Sequence, residues 1–211
     1  MGTTLTTSLV SARVDRRASL LDTAADMVAS GNVERVSMES VARAAGVSRA
    51  LVYKHFSNRH DLLSSLYERE SALLHAELAA EVRATVDLAG MLGALVHGAL
   101  AAQASRGATL AALSAGGGRT PAQRDVQRRR DGQTIRHFTS QAVADFRVDE
   151  ADARAGIALA LGSIPTVLAR WRLRPTRENA SHLEHAFVAM AIGGMKELAR
   201  TRGAADSPPR R

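Results

Sequence analysis

A run of basic side chains between Ser40 and His60 carries the clearest chemical signal in the sequence. The run contains no aspartate or glutamate, whereas an exposed helix face normally mixes both signs of charge. Such a stretch points to a polyanionic partner such as nucleic acid. A net charge of +7 makes a chance cluster the alternative when charge is considered alone. The basic residues of the run are Arg43, Arg49, Lys54 and Arg59, with His55 and His60 beside them.

The same run has the spacing of two short helices joined by a tight turn. Ser37 and Ser48 are placed to cap helices that cover 38–45 and end near His55. Gly46 permits the turn, because glycine adopts the left-handed backbone conformation without strain. The apolar residues predicted to face inward are Val41, Ala42, Val47, either Leu51 or Val52, and Phe56. This pattern predicts a helix-turn-helix, whose second helix fits the major groove of DNA.

Residues 18–66 resemble the TetR family of bacterial repressors. The match is clearest at Val41, Ala42, Ala45, Gly46, Val47, Ser48, Leu51, Val52, Tyr53, His55, Phe56, Asp61 and Leu62. Two positions depart from the family, since Arg59 stands where lysine is frequent and His60 where an acid is frequent. The resemblance covers about a quarter of the chain. It implies a homodimer that binds a palindromic DNA operator and is released from it by a small-molecule effector.

The side chains predicted to contact DNA divide by the part of DNA that they suit. Arg49, near the start of the second helix, can pair bidentately with guanine. Phosphate contacts are expected from Ser37, Ser48, Tyr53, Lys54 and Arg59, and the ring of Tyr53 is expected to pack in the module as well. Two roles fit His55 equally, a phosphate contact or a hydrogen bond at the edge of the core. The full predicted set is Ser37, Ser48, Arg49, Ala50, Tyr53, Lys54, His55 and Arg59.

The elements that position this motif are predicted to be helices throughout, about nine of them with no strand. Apolar residues recur at helical spacing from Asp15 onward, and no alternating strand pattern is present. The predicted domains are a disordered arm (1–14), a helix-turn-helix domain (15–62), a connecting helix (63–86), an effector-binding and dimerisation domain (87–202) and a disordered tail (203–211).

Local signals set the helix ends in the second domain. Separate helices are predicted over 88–104 and 108–115, followed by a glycine break at 116–118. Thr120-Pro121 predicts the start of a helix that runs to about Phe146. Asp149 caps the next helix, in which Pro165 is expected to introduce a kink. Thr176 is predicted to cap the last one.

Composition excludes several classes of protein. The chain has 211 residues, 45% of them hydrophobic, and no cysteine, so disulfides and thiolate metal sites are impossible. No run of eighteen apolar residues predicts a membrane span and no signal-like segment is present, so a cytoplasmic protein without a membrane partner is expected. Neither a cofactor motif nor a metal site is predicted, because His182 and His185 lack a third ligand. We therefore expect no enzymatic activity.

The second domain is predicted to hold an effector and to form the dimer. Effector-pocket candidates are Leu92, Leu110, Phe138, Phe146 and Trp171. The resemblance implies dimerisation through the last two helices, and the candidate face consists of Ala186, Phe187, Ala189, Met190, Gly193 and Gly194. The alternative is that these residues pack inside one subunit. Two other functions stay open, a DNA-binding protein without sequence preference and, with less support, an enzyme on a helical scaffold.

Overall fold

The computed structural model describes the backbone of residues 3–30, 33–116 and 121–205, and the side chains of 16–30, 33–107, 109–111, 113 and 124–201. The helices are α1 (Thr3–Ala29), α2 (Met38–Ala44), α3 (Arg49–His55), α4 (Arg59–Arg83), α5 (Leu88–Gly116), α6 (Pro121–Phe146), α7 (Glu150–Leu173) and α8 (Arg177–Ala205). A short 3-10 helix, Val33–Arg35, precedes α2. Within the described residues these nine helical segments and the absence of strands confirm the predicted all-α class.

The chain divides into two compact units. The head unit comprises 1–73 and 106–120, and the body unit comprises 74–105 and 121–211. The core of the head unit joins one face of α1 to the inner faces of α2, α3 and α4. Its fully buried side chains include Leu20, Val41, Val52, Phe56, Leu62, Leu63 and Leu66.

Local hydrogen bonds set the helix ends of the head unit where the sequence predicts them. Ser37 Oγ accepts from the backbone N–H of Ser40 at 3.0 Å, which caps α2, and Ser48 Oγ accepts from Leu51 N at 3.2 Å, which caps α3. Gly46, in the turn between these helices, has φ 64°, in the left-handed region that a side chain would strain. The turn therefore depends on glycine at this position.

Arg69 of α4 ties that helix to α1. Its guanidinium donates to the Asp22 carboxylate at 2.7 Å and to the Leu21 carbonyl at 3.3 Å, and only a quarter of the side chain is exposed. Arg69→Met is expected to lower the free energy of unfolding by about 1–3 kcal/mol, because it removes charge-assisted bonds between two helices. Urea unfolding measures the change. Arg16→Met, at an exposed position of α1, is the control and should change stability little; equal losses in both variants would contradict this role for Arg69.

The body unit packs parts of α4 and α5 with α6, α7 and α8 around a second core. Leu88, Met91, Leu92 and Val96 of α5 meet Phe138 of α6, Ile157 of α7 and Met195 of α8 in this core. The Asp145 carboxylate of α6 accepts from the backbone N–H of Leu88 at 2.7 Å, so a side chain of one helix caps the start of another. Asp149 caps α7 as predicted, and Thr176 Oγ1 accepts from Asn179 N at 3.2 Å at the start of α8.

Three helix boundaries differ from the predictions. Helix α1 begins at Thr3, so 3–14 are helical where a disordered arm was expected; this segment contains neither glycine nor proline to stop the helix. The predicted break between 104 and 108 is wrong, because α5 continues through Gly107, and an isolated glycine weakens a helix without ending it. Helix α8 extends to Ala205, past the predicted end at 202. The predicted breaks and caps at 117–120 lie outside the described residues.

Among the described residues, two helical spans are long and apolar enough to cross a membrane by length and composition alone. They are Leu88–Gly107, with mean hydropathy 1.3, and Glu150–Leu173, with mean hydropathy 1.2. The core helix of a globular protein passes the same test, and α5 contributes five buried side chains to the core of the body unit. Packing accounts for part of this apolar character, since 33% of the α5 window is buried, against 17% of the α7 window.

Candidate functional site

Helix α3 has one buried face and one exposed face. Val52 and Phe56, four residues apart, are buried in the head-unit core, with relative exposures of 0% and 1%. Arg49 and Tyr53 have the same four-residue spacing on the other side and are exposed. Ser48, Ala50 and Lys54 are exposed as well. The sequence-predicted contact set is therefore largely brought together on one surface of a seven-residue helix.

The guanidinium of Arg49 is held by neighbours on two helices. Its Nη1 donates to Glu39 Oε1 of α2 at 2.9 Å, and its Nη2 donates to Tyr53 Oη at 3.4 Å. The guanidinium carbon also lies 5.5 Å from the centre of the Tyr53 ring. The hydrogen bond to Tyr53 and the charge of Glu39 raise the pKa of Arg49. Both partners therefore favour the charged form of Arg49 and one direction of its guanidinium.

Three polar residues of the motif differ in what remains available for a phosphate. Tyr53 Oη accepts from Arg49, so its own proton can be donated to another group. Ser48 is exposed, and its Oγ accepts a hydrogen bond in the helix cap. Its hydroxyl proton is therefore also available for donation to a phosphate. Ser37 is half-buried and donates its proton to Ser40 Oγ at 3.1 Å, so its hydroxyl is used inside the cap. Tyr53 and Ser48 are the better placed donors.

Arg59 has a structural role that the sequence did not reveal. Its Nε donates to the Val36 carbonyl at 2.7 Å and its Nη2 to the Val33 carbonyl at 2.8 Å. The side chain is half-buried and joins the start of α4 to the 3-10 helix. Sequence reasoning missed these bonds because backbone carbonyls without a partner leave no pattern in the sequence. The predicted phosphate contact of Arg59 stays a prediction, made by a guanidinium with two of its nitrogens already engaged.

Two further residues of the motif lie at the end of α3. Lys54 is exposed, as a phosphate contact requires, and His55 is half-buried, so that its two alternative roles stay predictions.

Arg17 of α1 was not singled out from the sequence. Its guanidinium lies 4.9 Å from the centre of the Phe56 ring and donates to Ser65 Oγ at 2.7 Å. Arg17 therefore fixes Phe56, and with it the end of α3, from the side of α1.

Four of the five predicted effector-pocket residues belong to the body unit. Leu92 and Phe138 are buried in the body-unit core, and Phe146 and Trp171 pack against it half-buried. Leu110 falls in the head unit, because α5 continues without the predicted break and its last part is assigned there. A pocket that includes Leu110 with the other four residues stays a prediction.

An open cavity of about 330 Å³ lies between α6 and α7, and none of the five predicted residues lines it. Its lining consists of Ile135, Arg136, Thr139, Ser140, Val143, Glu150 and Arg154. Thr139 is 5% exposed, and its Oγ1 is buried without a hydrogen-bond partner. The cavity combines an apolar wall with two guanidinium groups and one carboxylate. Sequence reasoning had no signal for it, since its residues come from two helices that are not paired in any motif.

The predicted dimer face is exposed on α8 except at one residue. Ala186, Ala189, Gly193 and Gly194 are exposed, and Met190 is 78% exposed. Phe187 is 6% exposed and packs in the core of the body unit, so its assignment to the dimer face is corrected. Helix α7 adds Leu159, 78% exposed, and Gly162, around which space is open. The sequence missed these two because a single helical period does not show which side faces the core.

The two histidines of α8 lie on its exposed surface. His182 and His185 are exposed, and Glu184 between them lies 3.0 Å from His97 Nδ1 of α5. Among the described side chains there is no group of three histidines or carboxylates close enough to hold a metal ion. Glu184 instead links α8 to α5.

A segment of the head unit matches a known protein family in sequence. Residues 20–66 match the family described as bacterial regulatory proteins, tetR family. No curated protein sequence matches the chain. The matched segment begins within α1 and ends within α4, so it includes both helices of the predicted helix-turn-helix.

Solved structures of bacterial regulators share the fold over most of the chain. A TetR/AcrR-family regulator from Thermobifida fusca aligns with a TM-score of 0.65 at 16% identity, covering 85% of this chain and 98% of the other. The fatty acid degradation regulator FadR from Bacillus halodurans aligns with a TM-score of 0.63 at 17% identity, covering 84% and 95%. FadR from Bacillus subtilis, in complex with stearoyl-CoA, gives 0.55 at 14% identity, covering 84% and 98%.

The sequence match and the geometry point to the same part of the chain, the helices α2 and α3. At such identities the structural likeness shows the fold, while the sequence match locates the motif. The match falls on the helices that present Arg49 and Tyr53, so residues 20–66 resemble the bacterial regulatory proteins of the tetR family, and the chain as a whole shares the fold of solved bacterial regulators.

Proposed function

We propose that the protein is a homodimeric repressor that binds a pseudo-palindromic operator through two copies of residues 37–56. The observation that carries this proposal is the exposed face of α3, where Arg49, Tyr53 and Lys54 stand opposite the buried Val52 and Phe56. Arg49 would read a guanine and the others would contact phosphates. A two-fold dimer would place two such helices on successive major grooves.

The exposed surface of the last two helices supports the dimer. Leu159 and Met190 are large apolar side chains with 78% exposure each, which is unfavourable in water unless a partner covers them. Gly162 and Gly193 have open space around them, so a second helix could approach closely. An isologous four-helix contact would bury both features at once.

The effector is proposed to bind inside the body unit. The cavity between α6 and α7 lies near the small end of the range for ligand sites, and Arg136 and Arg154 would suit an acidic group. The solved FadR of Bacillus subtilis holds stearoyl-CoA, and a whole coenzyme A thioester is much larger than this cavity. Release from DNA requires that the effector bind the operator-competent and released conformers with different affinities.

Thr139→Val is expected to raise the free energy of unfolding by about 1 kcal/mol, because it removes a buried hydroxyl without a partner while keeping the shape of the side chain. Urea unfolding measures the gain. Thr134→Val is the matched control, since the Thr134 hydroxyl donates to the Arg130 carbonyl at 3.0 Å and its loss should bring no gain. A Thr139→Val protein that is less stable than the wild type would show that the hydroxyl has a partner in solution.

The experiment that tests the proposed function is a selection of genomic fragments by the purified protein. A repressor should enrich a short palindrome and bind it at least about 10³-fold more tightly than unrelated duplexes at the same salt concentration. A protein without sequence preference would bind all duplexes alike, and an enzyme would enrich none. Failure to enrich a palindrome would contradict the proposal. Reporter transcription from the enriched site then distinguishes repression from activation.

A further inference from the structure

Glu39 is an acidic side chain of α2 that the fold brings next to Arg49 of α3. It lies in the first turn of α2, immediately before the acid-free run that begins at Ser40. Its carboxylate is 63% exposed and lies 2.9 Å from Arg49 Nη1, ten residues further along the chain. A carboxylate beside the surface proposed to face DNA opposes binding to phosphates. Its presence at this position therefore calls for a compensating role.

The contacts of Arg49 indicate what that role is. Tyr53 contacts the guanidinium with its ring and accepts from Nη2 with its hydroxyl. The Glu39 carboxylate accepts from the other terminal nitrogen, Nη1. A guanidinium is a rigid planar fork, so two fixed nitrogens define the direction of the whole group. Bidentate recognition of guanine requires such a fixed direction, whereas a phosphate contact tolerates many. An exposed ion pair is weak, so Glu39 biases Arg49 without locking it.

We propose that Glu39 is a specificity-determining residue that acts through Arg49, holding the guanidinium toward the bases and away from the phosphates. This inference rests on the proposed function, since it needs an operator to be read. In the free head and on unrelated DNA, the carboxylate competes with phosphates for Arg49. On the operator, the guanine contact uses Arg49 in the direction that Glu39 imposes. Glu39 thus weakens non-specific binding more than specific binding.

The test is Glu39→Gln, which removes the charge and preserves the shape. The probes are the tightest duplex that the wild-type protein recovers from a randomised pool and a scrambled duplex of equal composition. Fluorescence anisotropy over a salt series should show affinity for the scrambled duplex rising about 3- to 10-fold and affinity for the selected duplex changing less than about 2-fold. The salt slope on the scrambled duplex should steepen by about one unit per protomer, because Arg49 gains a phosphate contact.

Glu34→Gln is the matched control. Glu34 is an exposed acid of the same unit, in the 3-10 helix, and its loss changes the net charge equally without touching Arg49. The proposal expects Glu34→Gln to leave the ratio of the two affinities within about 2-fold of the wild type. It is overturned if both variants lower the ratio equally, or if Glu39→Gln leaves it unchanged. A pool that yields no preferred duplex overturns the proposed function as well, whereas a preferred duplex with an unchanged Glu39→Gln ratio overturns this inference alone.

Discussion

Arg49→Ala is expected to reduce affinity for the operator by roughly 30-fold or more while leaving affinity for unrelated DNA within a few-fold of the wild type. One bidentate contact to guanine discriminates against the wrong base by a factor of about 5 to 150, and a dimer makes two such contacts. The side chain of Arg49 is 59% exposed, and its hydrogen bonds within the described part of the chain go to Glu39 and Tyr53, so its loss should leave the fold intact. Anisotropy titrations with the selected and scrambled duplexes measure both effects.

Lys54→Ala is the control that separates base reading from phosphate binding. Lys54 is exposed at the last turn of α3 and is expected to contact a phosphate. Its removal should weaken binding to all duplexes alike and lower the salt slope by about one per protomer. If Arg49→Ala and Lys54→Ala gave the same profile, Arg49 would be a second phosphate contact and the base-reading assignment would fail.

Met190→Glu is expected to convert the proposed dimer to a monomer and to reduce operator affinity by at least about 100-fold, because one protomer would bind only half of the proposed palindrome. Met190 is exposed on α8, and glutamate is a good helix former, so each protomer of the variant should stay folded. Two copies of a new carboxylate would meet near the two-fold axis without a partner. Sedimentation velocity measures the mass, and circular dichroism measures the helix content.

Ala104→Glu is the matched control for this change. Ala104 is exposed on α5, so the substitution introduces the same charge on a different helix of the same unit. It should leave the mass and the operator affinity unchanged. A Met190→Glu protein that sediments with the mass of the wild-type protein would place the dimer contact elsewhere, or show that there is none.

The features that the sequence predicts well are those that depend on neighbours along the chain. Ser37, Ser48 and Asp149 cap helices as expected, because a capping bond joins residues two or three apart. The turn at Gly46 is equally local, since it depends on the φ angle of one residue. The exposed face of α3 follows from the four-residue spacing of Val52 and Phe56. Most of the candidate DNA-contacting set could therefore be chosen without coordinates.

The features that the sequence does not predict depend on distant partners. Arg59 bonds to carbonyls 23 and 26 residues away, and Arg49 pairs with an acid on another helix. Phe187 and Met190 are both apolar residues of one helix, and only the packing of α7 against α8 shows that the first is buried and the second exposed. The cavity of α6 and α7 is likewise a product of tertiary packing. Periodicity gives the helices, but not which residues meet between them.

The division of α3 into a buried and an exposed face has a consequence for which substitutions can accumulate in this helix during evolution. Val52 and Phe56 secure the helix in its core, while Arg49 and Ala50 make no contribution to that core. Substitutions at the exposed positions are therefore nearly neutral for folding, so a duplicated gene could acquire a new operator without passing through an unstable intermediate. Glu39 of α2 is also exposed, so a substitution there should be as nearly neutral for folding as one at Arg49. If α3 reads DNA as proposed, selection can alter the preferred DNA sequence independently of stability.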